Sequence, residues 1–313
     1  MTKIIAMRCL QKAAALLLLC LITNLSYSQV TGVELEVVQE HTGLVGTTDL
    51  TGFTTYRLYA TCTNTNDFIS AVTGLNTYPM EITTTGTFFQ SAFGENEGGN
   101  INPGIAIFVP DVLFDSWVTI DRESSADPGI SLTLLQSDND PWITSFSGGG
   151  DIVIDGDIGG GWFQTFSENA ASGFAGDDLR VLIGQFTTDG ELNGIINIQC
   201  FFLGDNDNDQ RLEGVPFSSN AGAVFGCTDP SALNYDPTAN VDDGSCQFPC
   251  TLQIDSATPT APTCSDSDDG SISVVASGAQ GAAFYQLDGG PQIAVPQFNG
   301  LSPGTYMVTV TDG

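Results

Sequence analysis

The sequence predicts an all-β protein. Three observations lead there. Short runs alternate apolar and polar residues, as in Val33-Glu-Leu-Glu-Val-Val38 and Thr55-Tyr-Arg-Leu-Tyr-Ala-Thr61. Clusters of Gly, Asn, Asp and Ser separate these runs. Almost no segment carries the 3.6-residue period of an amphipathic helix. The arrangement predicts an N-terminal antiparallel β-sandwich or jelly-roll-like head over 29–217, an acidic disulfide-loop linker over 218–249 and a second β module over 250–313.

Residues 1–28 read as a secretory signal peptide. Lys3, Arg8 and Lys12 make a basic start, residues 13–21 are the apolar core, and Ser26-Tyr27-Ser28 predicts cleavage before Gln29. The apolar run falls short of the roughly 20 residues that a membrane span needs, and no later segment could span. Cys20 lacks the small neighbour expected beside a lipidated cysteine.

In the head, strands are expected at 33–38, 55–61, 68–72, 81–88, 105–108, 116–120, 131–134, 151–154, 179–186 and 195–202. Gly94-Glu-Asn-Glu-Gly-Gly-Asn100 and Ser147-Gly-Gly-Gly150 are turns between them. Trp117, Trp142 and Trp162 are expected to fill the core or cover its ends. In the last module, strands are expected at 271–275, 283–287, 293–295 and 305–310. Asp288-Gly289-Gly290 is a hairpin signal, and Thr258-Pro-Thr-Ala-Pro262 reads as an extended spacer.

The chain has 37 Asp and Glu against 7 Lys and Arg, a formal charge of −30. Three of those seven bases lie in the signal and no acid does, so the processed chain stands at −33. Such a surface repels nucleic acid and anionic lipid. Six cysteines survive processing: Cys62, Cys200, Cys227, Cys246, Cys250 and Cys264. An even set in an exported chain predicts disulfides. Fifteen connectivities are open. The expected one is Cys62–Cys200, Cys227–Cys246 and Cys250–Cys264, with the second pair the clearest because no strand pattern separates its members.

Three acidic groups are candidate calcium ligands, since hard oxygen donors in a turn can converge on one cation. Asp205, Asp207 and Asp209 stand at alternate positions with Glu213 after them. Asp229, Asp236, Asp242 and Asp243 stand in the cysteine loop, and Asp266, Asp268 and Asp269 follow. An EF-hand would need Gly where Gln210 stands and an acid where Pro216 stands. The competing reading is that Asp-Pro and Asp-Gly serve turn geometry. No catalytic set is expected. His41 is the one histidine and reads as a solvated loop residue, no Gly-x-Ser-x-Gly is present, and the glycine run at 156–161 leads into Trp-Phe rather than a Lys and a helix.

The last module resembles the SprB-type repeat of gliding-motility surface adhesins. The matching residues are Pro262-Thr-Cys264, Asp269-Gly-Ser-Ile-Ser273, Tyr285-Gln-Leu-Asp-Gly-Gly290, Phe298-Asn-Gly-Leu-Ser-Pro-Gly-Thr-Tyr306 and Val308-Thr-Val-Thr-Asp312. The resemblance implies a small Ig-like β-sandwich repeat, and an array that continues past Gly313 in a longer chain. Gly226-Cys-Thr-Asp-Pro230, Asn234-Tyr-Asp-Pro237 and Asp242-Asp-Gly-Ser-Cys246 resemble cysteine-loop modules of exported proteins from the same bacterial group, which use type IX secretion. Asp255-Ser256-Ala257 resembles the O-glycosylation acceptor of these bacteria, with Ser256 the modified residue.

The expectation is a secreted or cell-surface, non-catalytic, adhesin-like modular protein stabilised by calcium. Its expected partners are extracellular surfaces, glycans or neighbouring repeats of the same longer chain. The alternatives are the accessory region of a secreted hydrolase and a carbohydrate-binding head.

Overall fold

Strand alternation sets the first sheet of the head. In the computed structural model, which describes residues 4–7, 30–138, 140–249, 251–279 and 282–312, β2 (Gly32–Glu40) pairs antiparallel with β5 (Thr54–Thr61). The hairpin of β3 (Leu44–Val45) and β4 (Thr48–Asp49) lies between them in the chain. β12 (Arg180–Thr188) and β8 (Trp117–Val118) complete a four-stranded sheet in the order β2-β5-β12-β8. The expected cleavage site and apolar signal core lie outside the described residues.

The second sheet has seven strands: β6 (Phe68–Gly74), β7 (Met80–Thr84), β9 (Thr133–Leu135), β10 (Ile152–Ile154), β11 (Gly160–Phe163), β13 (Leu192–Phe201) and β14 (Asp209–Ser218). β13 organises it. One edge pairs with β14 along its length, while the other pairs with β7 through 192–195 and with β6 through 197–201. Asn197 sits at the fork. Its Nδ2 donates to the Thr73 and Tyr78 carbonyls at 2.9 Å each, and its Oδ1 accepts from Gly214 N at 2.8 Å. One buried amide thus satisfies the backbone where the sheet divides and where β13 and β14 shift register.

The two sheets bury one core. Leu58, Ala60, Val181, Ile183 and Phe186 of the first sheet meet Ile69, Val72, Ile82, Ile152, Trp162, Ile196 and Ile198 of the second. Each large side chain buried there contributes about 1.5–3 kcal/mol. All three tryptophans are buried, as their expected packing role requires. Trp142 and Trp162 lie in this core and donate Nε1–H to the Leu135 and Thr119 carbonyls at 2.8 and 3.0 Å. Trp117 belongs to a smaller cluster with Tyr59, Ile101, Val112 and Leu182.

Several expected elements are corrected. Residues 105–108 are not a strand. Pro103 opens a 3-10 turn over Pro103–Ile105, capped by Asn102, whose side chain accepts from Gly104 N at 2.9 Å. The segment around Trp142 is a short helix, α1 (Trp142–Ser147). β11 and β14 were not expected as strands. The glycine run at 156–161 carries no strand pattern, yet Gly161 at φ 139° crosses β6 so closely that a Cβ would lie 2.1 Å from the Val72 carbonyl oxygen. Glycine is required there by that approach.

The chain divides into two units, 24–246 and a second holding 1–23 and 247–313. The loop from Cys227 to Cys246 falls within the first of these units. In the second unit, β17 (Gln253–Thr260), β18 (Gly270–Ser277) and β20 (Gln297–Leu301) make one sheet. β19 (Ala283–Leu287) and β21 (Met307–Asp312) make another, with β1 (Ile4–Met7) in parallel on the β21 edge. Between them lie Ala257, Ile272, Val274, Tyr285, Phe298, Val308 and Val310. The expected spacer at 258–262 begins as strand, since Thr258, Pro259 and Thr260 pair with Ser273, Ile272 and Ser271. Proline is tolerated there because β17 is an edge strand. Asp288 and Gly289, at φ 50° and 74°, form the expected hairpin turn.

Candidate functional site

The cysteine loop closes as the sequence predicts. Cys227 and Cys246 are bridged, with Cα atoms 4.7 Å apart and a separation of 19 positions in sequence. β15 (Phe225–Gly226) and β16 (Val241–Asp242) run parallel at its neck. Asn240 fixes the entry: its Oδ1 accepts from Val224 N at 2.8 Å and its Nδ2 donates to the Gly222 carbonyl at 3.1 Å. Asn234 Nδ2 donates to the Ser245 carbonyl at 2.7 Å, tying the middle of the loop to its end.

The loop aspartates are spent on turns. Asp229 Oδ1 accepts from Ser231 N and Oγ, both at 2.8 Å. Asp236 Oδ1 accepts from Thr238 N at 2.8 Å and Oγ1 at 2.7 Å. These bonds favour the ionised form and lower both pKa values. Asp243 Oδ1 accepts from Ser245 N at 2.9 Å. Asp242 lies where its charge helps raise the pKa of Glu81, for which burial is the larger cause and Asp155 and Asp151 contribute too.

The Asp205 group is dispersed in the same way. Asp205 Oδ1 accepts from Asp207 N at 3.1 Å, which forms the hairpin turn between β13 and β14. Asp209 already belongs to β14, and its Oδ2 accepts from Gln199 Nε2 at 3.1 Å. Glu213 is hydrogen-bonded to the Tyr78 side chain and helps raise its pKa. In the third group, Asp269 accepts from Thr263 Oγ1 at 2.7 Å, Ser267 Oγ at 2.7 Å and Thr263 N at 2.9 Å, which hold its pKa down to about 2. Among the described residues no three His, Cys, Asp or Glu side chains converge as a metal site. The expected calcium ligands are therefore not gathered, because local turns compete successfully for the same oxygens.

Cys62 and Cys200 are both buried and unbridged in this structure. The interaction with the Cys62 thiol, then burial and the nearby Asp67, push the pKa of Cys200 far up. The expected pairing puts the right two residues together without the covalent bond. Cys264 is exposed and unbridged, and its expected partner Cys250 lies outside the described residues. Ser256 is exposed on the edge strand β17, next to a register shift at Ile254.

His41 is a correction, being buried rather than solvated. Its Nε2 shares a hydrogen bond with Thr55 Oγ1 at 2.9 Å, and Thr55 Oγ1 lies 2.8 Å from Thr187 Oγ1. Its ring packs edge-on against Phe114 at 4.6 Å, and burial lowers its pKa. It fastens a loop to the sheet.

A cleft of about 550 Å³ opens over the first sheet, lined by Arg57, Trp117, Asp121, Glu123 and Gln185 among others. Arg57 grips Glu123 in a two-point ion pair at 2.6 and 3.1 Å. Asp121, at φ 69°, accepts from Gly173 N at 3.0 Å and is pushed up to about 6 by burial. Asp115, behind the same sheet edge, accepts from Ser91 N and Glu95 N at 2.7 and 2.8 Å and is pushed up to about 7 by burial. The sequence singled out neither aspartate, because burial and not spacing distinguishes them.

No protein-family model matches the chain, and no solved structure matches it. Over 53 residues it is 45% identical to ribulose bisphosphate carboxylase/oxygenase activase 1, chloroplastic, of Larrea tridentata. Over 51 residues it is 49% identical to the chloroplastic activase of Spinacia oleracea. Each match covers 15% of this chain and 11% of the plant protein.

Proposed function

We propose that this is a secreted or cell-surface, non-catalytic protein of adhesin type, in which a β-sandwich head precedes sandwich repeats. The observation that carries the reading is the bridged loop Cys227–Cys246 in an all-β, strongly acidic chain. A disulfide persists in an oxidising compartment. The loop holds almost no apolar core and relies on the bridge and on Asx turns, which suits a segment exposed outside the cell. Acidity keeps neighbouring units soluble and apart. Ser256, exposed on an edge strand, is available to glycosylation. Calcium acts in this reading by screening that charge.

Protease treatment of intact cells tests the reading. Peptides from 30–312 should be released while cytoplasmic markers stay protected. Protection of these peptides until lysis would refute it.

A further inference from the structure

We propose that the outer face of the seven-stranded sheet binds a neutral oligosaccharide. The site follows from strand register. Trp162, Val72 and Ile198 stand side by side on β11, β6 and β13 and point into the core. Their chain neighbours Phe163, Ala71 and Gln199 are also cross-strand partners, so alternation places them in one row on the opposite face. Ala71 is the small floor of that row, with Phe163 on one side and Gln199 on the other. The result is a groove of about 480 Å³ that also takes in Phe166 and Asn206. Its size falls within the range of small-ligand sites.

The lining selects the ligand class. None of the ten residues around the groove is ionisable, in a chain with 37 acids. An anionic ligand meets the repulsive field of the surrounding surface, and the carboxylate beside the groove, Asp209, is already engaged by Gln199 and Arg211. A purely aliphatic ligand would strip water from the amides and hydroxyls without replacing it. A neutral sugar offers both halves. The C–H face of a pyranose ring lies against Phe163 and Phe166, which are half-buried and so keep an open side. Its hydroxyls meet planar amides. Gln199 is preorganised for this, because its Nε2 donates to Asp209 at 3.1 Å and the carbonyl oxygen is left to accept. Phe166 is braced edge-on by Phe201 at 5.7 Å. The three tryptophans, at 2% exposure or less, offer no such surface.

This deepens the surface-binding reading, but a chain that is exported and binds no sugar would fail here alone. The test uses the full chain and immobilised hexamers of β-1,4-glucose, β-1,3-glucose, α-1,4-glucose, β-1,4-xylose and β-1,4-mannose. At least one should be retained. Gln199→Ala should weaken that binding about tenfold or more at an unchanged melting temperature. Phe163→Ala should weaken it as much or more. Silence across all five hexamers, or a hexamer bound equally by wild type and Gln199→Ala, would overturn the proposal even if Phe163→Ala fails to fold.

Discussion

The thiols of Cys62 and Cys200 meet between the two sheets of the head, Cys62 just past the end of β5 and Cys200 within β13, both buried and unbridged. Burial and that contact hold Cys200 in its neutral form, and a neutral buried thiol is a poor nucleophile. Cys264, in contrast, is exposed. Native protein treated at pH 8 with an aromatic disulfide reagent should therefore react at Cys264 and spare Cys62 and Cys200. Unfolding without reductant then exposes two further thiols if the pair is reduced, and none if it has been oxidised to the bridge. Rapid labelling of Cys200 in the native state would contradict the burial of the pair.

The loop aspartates are predicted to act through backbone turns. Asp236→Ala removes both bonds to Thr238 and should lower the melting temperature, as loss of a similar cap does. The cost should be equal in chelator and in millimolar calcium, measured by thermal unfolding. A loss seen only with calcium present would restore the cation-site reading.

Two buried carboxyls set a pH dependence. Asp115 and Asp121 rise from the ordinary 3.8 to about 7 and about 6. The folded chain therefore holds their protons more tightly than the unfolded chain does. Their contribution is greatest below the ordinary carboxylate range and is lost as pH rises through 6 to 7. Asp269 works in the opposite sense, since its depressed value makes its contribution present above pH 4 and lost toward 2. The melting temperature should thus peak at mildly acidic pH and fall toward pH 8. Asp115→Asn should flatten the fall between pH 5 and 8 while lowering overall stability, because one backbone N–H loses its acceptor.

Gly161 is predicted to tolerate no side chain. At φ 139°, with the Val72 carbonyl oxygen 2.1 Å from a built Cβ, Gly161→Ala should destabilise the head by more than about 1 kcal/mol in urea unfolding. Gly214, with open space around it, serves as a positive-φ control for strain without a clash.

The fold class was legible because alternation and turn chemistry are local. Thr54–Thr61, Phe68–Gly74 and Arg180–Thr188 announce themselves by pattern alone. β11 and β14 do not. One is written in glycine that a close strand crossing demands, and the other begins inside an acidic run that imitates a loop. His41 looked solvated because its burial comes from Phe114 and Thr55, both distant in sequence. The Cys227–Cys246 bridge was readable because turn residues, with no strand pattern, fill the sequence between the two cysteines. The turn bonds of the acidic groups were not legible, since spacing alone cannot show which carboxylate oxygens the backbone has already taken. The outer groove was missed because its row of Phe163, Ala71 and Gln199 exists only once three strands are in register.

The most direct test of the account is peptide mapping of the protein recovered from the medium and surface of the cells that make it, alkylated before and after reduction. The account predicts an N-terminal peptide beginning at Gln29, and a Cys227–Cys246 peptide pair that is alkylated only after reduction. A chain that keeps residues 1–28 and has both cysteines open to alkylation without reductant would contradict it.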